Sequence, residues 1–189
     1  MRAPRSFALL ALAAAAMLVV ACGGNPLGLP AARFGNVVDT VSLWALDGTP
    51  LNTPSAYRIR PVPSTIRTDL STDFDFAFNI TPTGQAVLLP TGAVGLGRQS
   101  GIRVESLPFD SITAAATSGY QDSLAVAVDS GTIAVVRSRP TQCEFGLVVF
   151  YYAKLVVVRV DPVARRIDYH ILVDQNCGYR GLEPGLPKR

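Results

Sequence analysis

The 189-residue sequence has few charged side chains, and their charges nearly cancel. Charged residues make up 16% of the chain, and 17 basic against 14 acidic side chains leave a formal charge of +3. This composition excludes a coiled coil and a highly charged disordered chain. The small positive surplus argues against nucleic acid as a partner. The length suits one domain and excludes two of ordinary size.

The sequence also has little of what catalysis usually requires. Its single histidine, His170, has Asp168 two residues away, but no Gly-x-Ser-x-Gly nucleophile motif accompanies them. The glycine-rich stretch 92–97 has neither the glycine order nor the lysine of a phosphate-binding loop. We therefore expect no enzymatic activity and no cofactor.

The amino-terminal residues have the layout of an export signal. Arg2 and Arg5 precede an apolar run over 7–20, which is too short to cross a bilayer as a helix. The run ends in Leu18-Val-Val-Ala-Cys22. This ending resembles the lipobox of bacterial lipoproteins, in which an aliphatic residue, a tolerant position and a small residue precede an obligatory cysteine.

The resemblance implies cleavage between Ala21 and Cys22, diacylation of the Cys22 thiol and acylation of the new amino terminus. Gly23 after the cysteine is typical of lipoproteins that proceed to an outer membrane. The expected location is the bacterial cell envelope, with the lipid in the outer membrane or in the outer leaflet of the cytoplasmic membrane. The alternative is an ordinary signal peptide that happens to contain a cysteine.

Assigning Cys22 to lipid leaves Cys143 and Cys177 as an even pair in an oxidising compartment. We expect a disulfide between them, with two buried free thiols as the alternative. The bond requires the chain between residues 144 and 149 to turn back, and Phe145-Gly146 is the expected place for that bend.

The sequence is expected to comprise a signal peptide (1–21), a lipidated cysteine with a flexible tether (22–34), a β domain (35–180) and a Pro/Gly-rich tail (181–189). Within the domain the polar and apolar residues alternate. The clearest case is 73–80, where Phe74, Phe76, Phe78 and Ile80 share one face.

Three hairpins are predicted, with turns at 81–84, 129–131 and 161–165. Further strands are expected at 37–46, 56–60 and 101–107, and a central buried strand at 147–152. The segment 110–118 has the composition of one short helix of at most two turns. This pattern predicts an all-β fold, an antiparallel β-sandwich, with an open barrel as the alternative.

Two sets of residues are candidates for ligand sites. Trp44, Tyr151 and Tyr152 have the chemistry of stacking platforms for a sugar or peptide, although aromatic residues among valines also form sheet cores. Asp69, Asp73 and Asp75 supply oxygen ligands for a structural calcium ion, although alternating aspartates also form the solvated face of a strand.

These observations favour a lipid-anchored envelope protein whose β domain is a non-catalytic interaction or structural module. Its expected partners are the membrane, through the lipid, and an envelope protein or glycan. The alternative is a carbohydrate- or peptide-binding module, or a secreted hydrolase, that uses an aromatic sandwich face.

Overall fold

Antiparallel strands form nearly all of the regular structure. The computed structural model describes residues 30–143 and 146–187, and the expected signal peptide (1–21) and Cys22 lie outside these ranges. The described strands are β1 (Val38–Trp44), β2 (Ala56–Arg58), β3 (Ser64–Ile66), β4 (Phe76–Ile80), β5 (Ala86–Pro90), β6 (Gly101–Glu105), β7 (Val126–Ala127), β8 (Ile133–Arg137), β9 (Thr141–Gln142), β10 (Val148–Val149), β11 (Tyr152–Asp161) and β12 (Arg166–Asp174).

The predicted antiparallel β-sandwich is confirmed. The first sheet has the order β1-β12-β11-β8-β6 and the second sheet the order β3-β2-β4-β5-β7, while β9 and β10 pair only with each other. The inner faces of the two sheets form the main core. At its centre lie Tyr57 and Phe76 from the second sheet and Tyr169 from the first, with ring centroids 5.7–6.3 Å apart.

The strand predicted from 73 to 80 begins at Phe76, and both of its faces are buried. Phe76, Phe78 and Ile80 point into the main core, as predicted. Phe74 does not share their face, because it precedes the strand and packs with Ala77 in a separate cluster on the outer side of the second sheet. The alternation therefore marks the strand but misplaces its first aromatic residue.

Two of the three predicted hairpins are present. β4 and β5 are joined through 81–85, and β11 and β12 pair along their length with one bulge after Val157. The hairpin predicted around 129–131 is wrong, because β7 joins the second sheet and β8 the first. The turn itself forms, with the Thr132 amide donating to the Asp129 carbonyl, but it carries the chain between sheets.

The predicted helix at 110–118 is absent, and the only helical turn that touches this segment is the 3-10 turn Phe109–Ser111. The backbone of this segment bonds to other parts of the chain instead of to itself. Ala115 donates to the Arg180 carbonyl, and Leu182 donates to the Thr113 carbonyl, both at 2.8 Å.

The segments 147–152 and 181–187 also differ from expectation. The first is split between β10 and the start of β11 and is not one central strand. The second pairs with the domain through Ala114–Gly181 and Asn36–Gly185 bridges, and Leu182 is fully buried. The compact unit therefore starts at Ala31 and incorporates most of the predicted tail.

Candidate functional site

The outward face of the first sheet has a covered half and an open half. In the covered half, Val135, Tyr152 and Leu172 pack against Ile112, Ala115 and Leu182. The open half lies near the β11–β12 turn and carries polar side chains. Because alternate residues of a strand point to opposite faces, β1 and β12 each send three such side chains outward.

These six residues form three direct cross-strand pairs. The register sets Thr40 opposite His170, Ser42 opposite Asp168 and Trp44 opposite Arg166. We call this set the β1–β12 polar face. Its members are Thr40, Ser42, Trp44, Arg166, Asp168 and His170.

Each pair makes its own interaction. Thr40 Oγ1 and His170 Nδ1 are hydrogen-bonded at 2.9 Å, and Ser42 Oγ donates to Asp168 Oδ1 at 2.6 Å. The Arg166 guanidinium lies 6.0 Å from the centre of the Trp44 ring, within the range of a cation–π contact.

Asp168 is held as a carboxylate. Partial burial raises its pKa, but the hydrogen bonds from Ser42 and from Arg166 Nη2, the latter at 2.9 Å, outweigh burial and lower the pKa below its ordinary value. Arg159 on β11, opposite Asp168 in the register, adds a further positive charge.

This arrangement differs from a Ser-His-Asp relay. Such a relay needs the serine bonded to the histidine and the histidine bonded to the carboxylate. Here the Ser42 hydroxyl donates a hydrogen bond to Asp168, and His170 is hydrogen-bonded to Thr40. The face can present hydrogen-bonding groups beside one indole ring, and it does not line up a nucleophile with a base.

The three aromatic candidates lie apart, and two are buried. Tyr151 is 1% exposed in the main core, with the Arg60 guanidinium 4.4 Å from its ring centre. Tyr152 is buried on the covered half of the first sheet, 6.2 Å from the Tyr120 ring. Trp44 is partly buried, so it is the most exposed of the three and the one that a ligand could reach.

The calcium candidates Asp69, Asp73 and Asp75 are bonded to arginines. Asp69 pairs with Arg67, while Asp73 accepts from Arg58 and from Arg139. The Arg139 hydrogen bond holds the pKa of Asp73 below its usual value. No group of three or more acidic, histidine or cysteine side chains positioned to hold a metal occurs in the described residues.

Asp75 is a structural link between the sheets. Its side chain, 2% exposed, accepts from the Ile59 amide at 2.6 Å and from the Arg139 amide at 2.8 Å. Burial raises its pKa, and these bonds partly offset that effect. Asp75 precedes β4 of the second sheet and Arg139 follows β8 of the first, so the contact joins the two sheets at one end.

Cys143 and Cys177 lie at disulfide distance, with their Cα atoms 6.0 Å apart. Of the bend expected at Phe145-Gly146, only Gly146 lies within the described residues; its amide donates to the Cys143 carbonyl, and its φ is +77°. That φ favours glycine. The cysteine pair joins the β9–β10 hairpin to the segment after β12.

A separate pocket lies beside β6. It has a volume of about 260 Å³ and is lined in part by Arg103, Glu105, Leu107 and Ile112. Arg103 Nε and Glu105 Oε1, two residues apart on β6, are paired at 3.0 Å. Ligand pockets usually exceed about 300 Å³. The two charged groups of this pocket are paired with each other, and its other polar side chains are the hydroxyls of Ser111 and Thr113. The β1–β12 polar face is therefore the stronger candidate.

No known family model matches the sequence, and none of the curated proteins compared with it is similar. Within the described part of the chain, no helix has the length and apolar character to span a bilayer. The predicted lipidation site, Cys22, lies outside the described residues.

Sequence reasoning recognised half of the polar face and missed the rest. The sequence analysis singles out Asp168 and His170 as near neighbours and Trp44 as an aromatic candidate. Thr40 and Ser42 escaped it because their role depends on β1 pairing with β12, more than 100 residues away. The signal that could have found them is the matching alternation of polar residues in 40–44 and 166–170.

Proposed function

We propose that this chain is a bacterial lipoprotein whose lipid-modified Cys22 anchors a β-sandwich in the cell envelope. The observation that carries the proposal is the Leu18–Cys22 motif in a chain whose other two cysteines lie together. A pair at disulfide distance suits an oxidising compartment outside the cytoplasm. It also leaves Cys22 as the cysteine available for acylation.

Metabolic labelling tests this proposal. In a bacterial host grown with radiolabelled palmitate, we expect label in the wild-type protein and in Cys143→Ser, which keeps Cys22. Cys22→Ala should take up none, since its attachment sulfur is gone. Equal label in Cys22→Ala and wild type, or no label in either, would overturn the proposal.

For the domain itself we propose a non-catalytic binding role through the β1–β12 polar face. The support is chemical: the Ser42 hydroxyl proton is committed to Asp168, so the face offers fixed donors and acceptors in place of an activated nucleophile. A rigid sheet holds these groups in register, and such pre-organised groups bind at low entropic cost.

An envelope glycan is a candidate ligand for the β1–β12 polar face. One indole beside an arginine, an aspartate and hydroxyl groups matches what sugars need, because their C–H faces stack on aromatic rings and their hydroxyls bond to polar groups. The accessible indole here is Trp44, flanked by Arg166 and Ser42.

Tryptophan fluorescence tests glycan binding at this face, because Trp44 is the only tryptophan in the chain. Titration with N-acetylglucosamine oligomers should shift the emission, and Ser42→Ala or His170→Ala should weaken the response. Leu70→Ala, at an exposed position outside the first sheet, is the matched control and should respond like wild type. Emission that stays unchanged at millimolar oligomer would contradict a glycan ligand.

A further inference from the structure

Four exposed apolar residues surround the point where the amino-terminal chain joins the sandwich. Phe34 is 52% exposed, Val37 68%, Val38 42% and Leu186 63%. We call this set the amino-terminal patch. A bridge pairs Asn36 with Gly185, and all four residues lie within two positions of that bridge along the chain.

The patch is built on a fixed backbone. Asn36 and Gly185 exchange two amide hydrogen bonds of 2.8 and 2.9 Å. The buried Asn36 side chain also donates to the Gly181 and Glu183 carbonyls. Because this backbone is fixed, the exposed apolar side chains attached to it keep their positions at the surface, where they can bind a partner.

Asn176 secures the same junction from the end of β12. Its Oδ1 accepts from the amides of Arg33, at 2.7 Å, and Phe34, at 3.0 Å, while its Nδ2 donates to the Phe34 carbonyl. These bonds determine where the chain coming from Cys22 meets the sandwich. The tether is therefore attached to the domain beside the patch.

The length of the intervening chain limits how far the patch lies from a lipid on Cys22. Eleven residue steps separate Cys22 from Arg33, and at no more than about 3.6 Å each they span at most about 40 Å. This is close to the thickness of one bilayer with its headgroups, about 40–45 Å. Because this chain enters the domain at Arg33 and Phe34, the patch beside that entry is the part of the domain tethered most directly to the lipid.

We propose that the amino-terminal patch rests on the surface of the lipid bilayer, an inference that depends on lipid anchoring at Cys22. Such surfaces usually bind a bilayer by inserting apolar side chains a short distance into the headgroup boundary. The stretches 33–39 and 183–189 contribute three bases and two acids. With so small a surplus, apolar contact and not charge drives the docking, so zwitterionic and anionic vesicles should behave alike.

The contact orients the domain. β12 leads away from the patch toward the β11–β12 turn, and its nine residues span about 30 Å. Trp44 lies at that distant end, opposite Arg166, while Val38 lies opposite Leu172. With the patch on lipid, the Trp44 end of the β1–β12 polar face lies away from the bilayer, where a ligand can reach it.

Depth-dependent fluorescence quenching tests the proposal on the acylated full-length protein in phosphatidylcholine vesicles that contain brominated lipid. In a Trp44→Phe background, tryptophan is introduced by Phe34→Trp or by Val37→Trp at the patch. The control is Val163→Trp, at a 93% exposed position in the β11–β12 turn. We expect strong quenching for both patch variants and little for the control.

Two results would overturn the inference. One is patch variants quenched no more than Val163→Trp. The other is a blue-shifted patch emission that needs no vesicles and accompanies a doubled mass, because the patch would then bind a second copy. Intact mass of the same preparations separates this failure from failure of the proposed function: acylated Cys22 without quenching removes only the patch contact, and unmodified Cys22 removes the anchor.

Discussion

At the scale of single residues, two buried aspartates give the clearest predictions about stability. Asp75 and Asp174 are both nearly inaccessible, yet their surroundings differ. Asp75 meets an arginine and two amides, whereas Asp174 is bonded through Oδ1 to Asn176 and its Oδ2 is buried with no partner in the described residues. The two residues therefore predict different responses to mutation and to pH.

Asp75→Ala should lower the free energy of unfolding by about 2–4 kcal/mol, because it leaves the buried Ile59 amide and the partly buried Arg139 amide without their acceptor. Urea denaturation measures the change. Asp69→Ala is the matched control, since its exposed pair with Arg67 contributes little. Equal effects of the two substitutions would contradict the role assigned to Asp75.

Asp174 predicts a pH dependence of stability. Burial raises its pKa to about 6, above the value of roughly 3.9 in an unfolded chain. A raised pKa favours folding at low pH, so the Asp174 contribution is complete below about pH 4 and lost by about pH 7, a change of about 2–3 kcal/mol.

Comparison with Asp174→Asn isolates this effect from other titrating groups. The substituted amide does not titrate, so the variant should gain stability relative to wild type as pH rises from 4 to 7. Urea midpoints at several pH values measure the difference. A difference that stays constant across this range would show that Asp174 does not titrate there.

At the scale of elements, Lys154 holds the irregular segment 109–120 against the first sheet. Its buried Nζ donates to the Phe109 carbonyl at 2.8 Å and to the Ile112 carbonyl at 3.0 Å, and burial lowers its pKa. Phe109 also places its ring 4.5 Å from Nζ. One side chain thus binds two carbonyl groups of a segment that does not form a helix.

Lys154→Met keeps the apolar stem and removes those hydrogen bonds. We expect a loss of about 1–3 kcal/mol of stability and faster hydrogen exchange confined to the segment 109–120. Exchange mass spectrometry resolves the segment. Uniformly faster exchange across both sheets would contradict a local role for Lys154.

The cysteine pair should stabilise the domain by restricting its unfolded chain. The 34-residue separation corresponds to about 2–4 kcal/mol in the loop-entropy description. Reduction of wild type should lower the urea midpoint to that of Cys177→Ser. A midpoint unaffected by reducing agent would contradict a disulfide.

The elements also show how far sequence reasoning reaches. The β11–β12 hairpin could be predicted because alternation and a short turn act between neighbours in the chain. The error around 129–131 arose because a turn with Gly131 serves equally well to reverse a strand or to cross between sheets. Phe74 was misplaced because alternation does not mark where a strand begins.

The same limit applies to the candidate site: local patterns can be predicted from the sequence, and long-range pairing cannot. Tyr151 and Tyr152 are adjacent, so alternation sends them to opposite faces of the first sheet, and only the three-dimensional packing reveals that both faces are covered there. The pairing of Thr40 and Ser42 with β12 depends on a long-range register that no local pattern contains.

At the scale of the whole molecule, the sandwich has two ends with different character. One end holds the junction at Asn36, Asn176 and Gly185, with exposed apolar side chains. The other holds the open polar face around Trp44. Such a division suits a protein tethered at one end and presenting a ligand-binding surface at the other.

The central claim is lipid attachment at Cys22, and the most direct test is mass spectrometry of the amino-terminal peptide from the mature protein. We predict a peptide that begins at Cys22 and carries the added mass of a diacylglyceryl group and an amide-linked acyl chain. A mature chain that begins at any other residue, or an unmodified Cys22, would contradict the account.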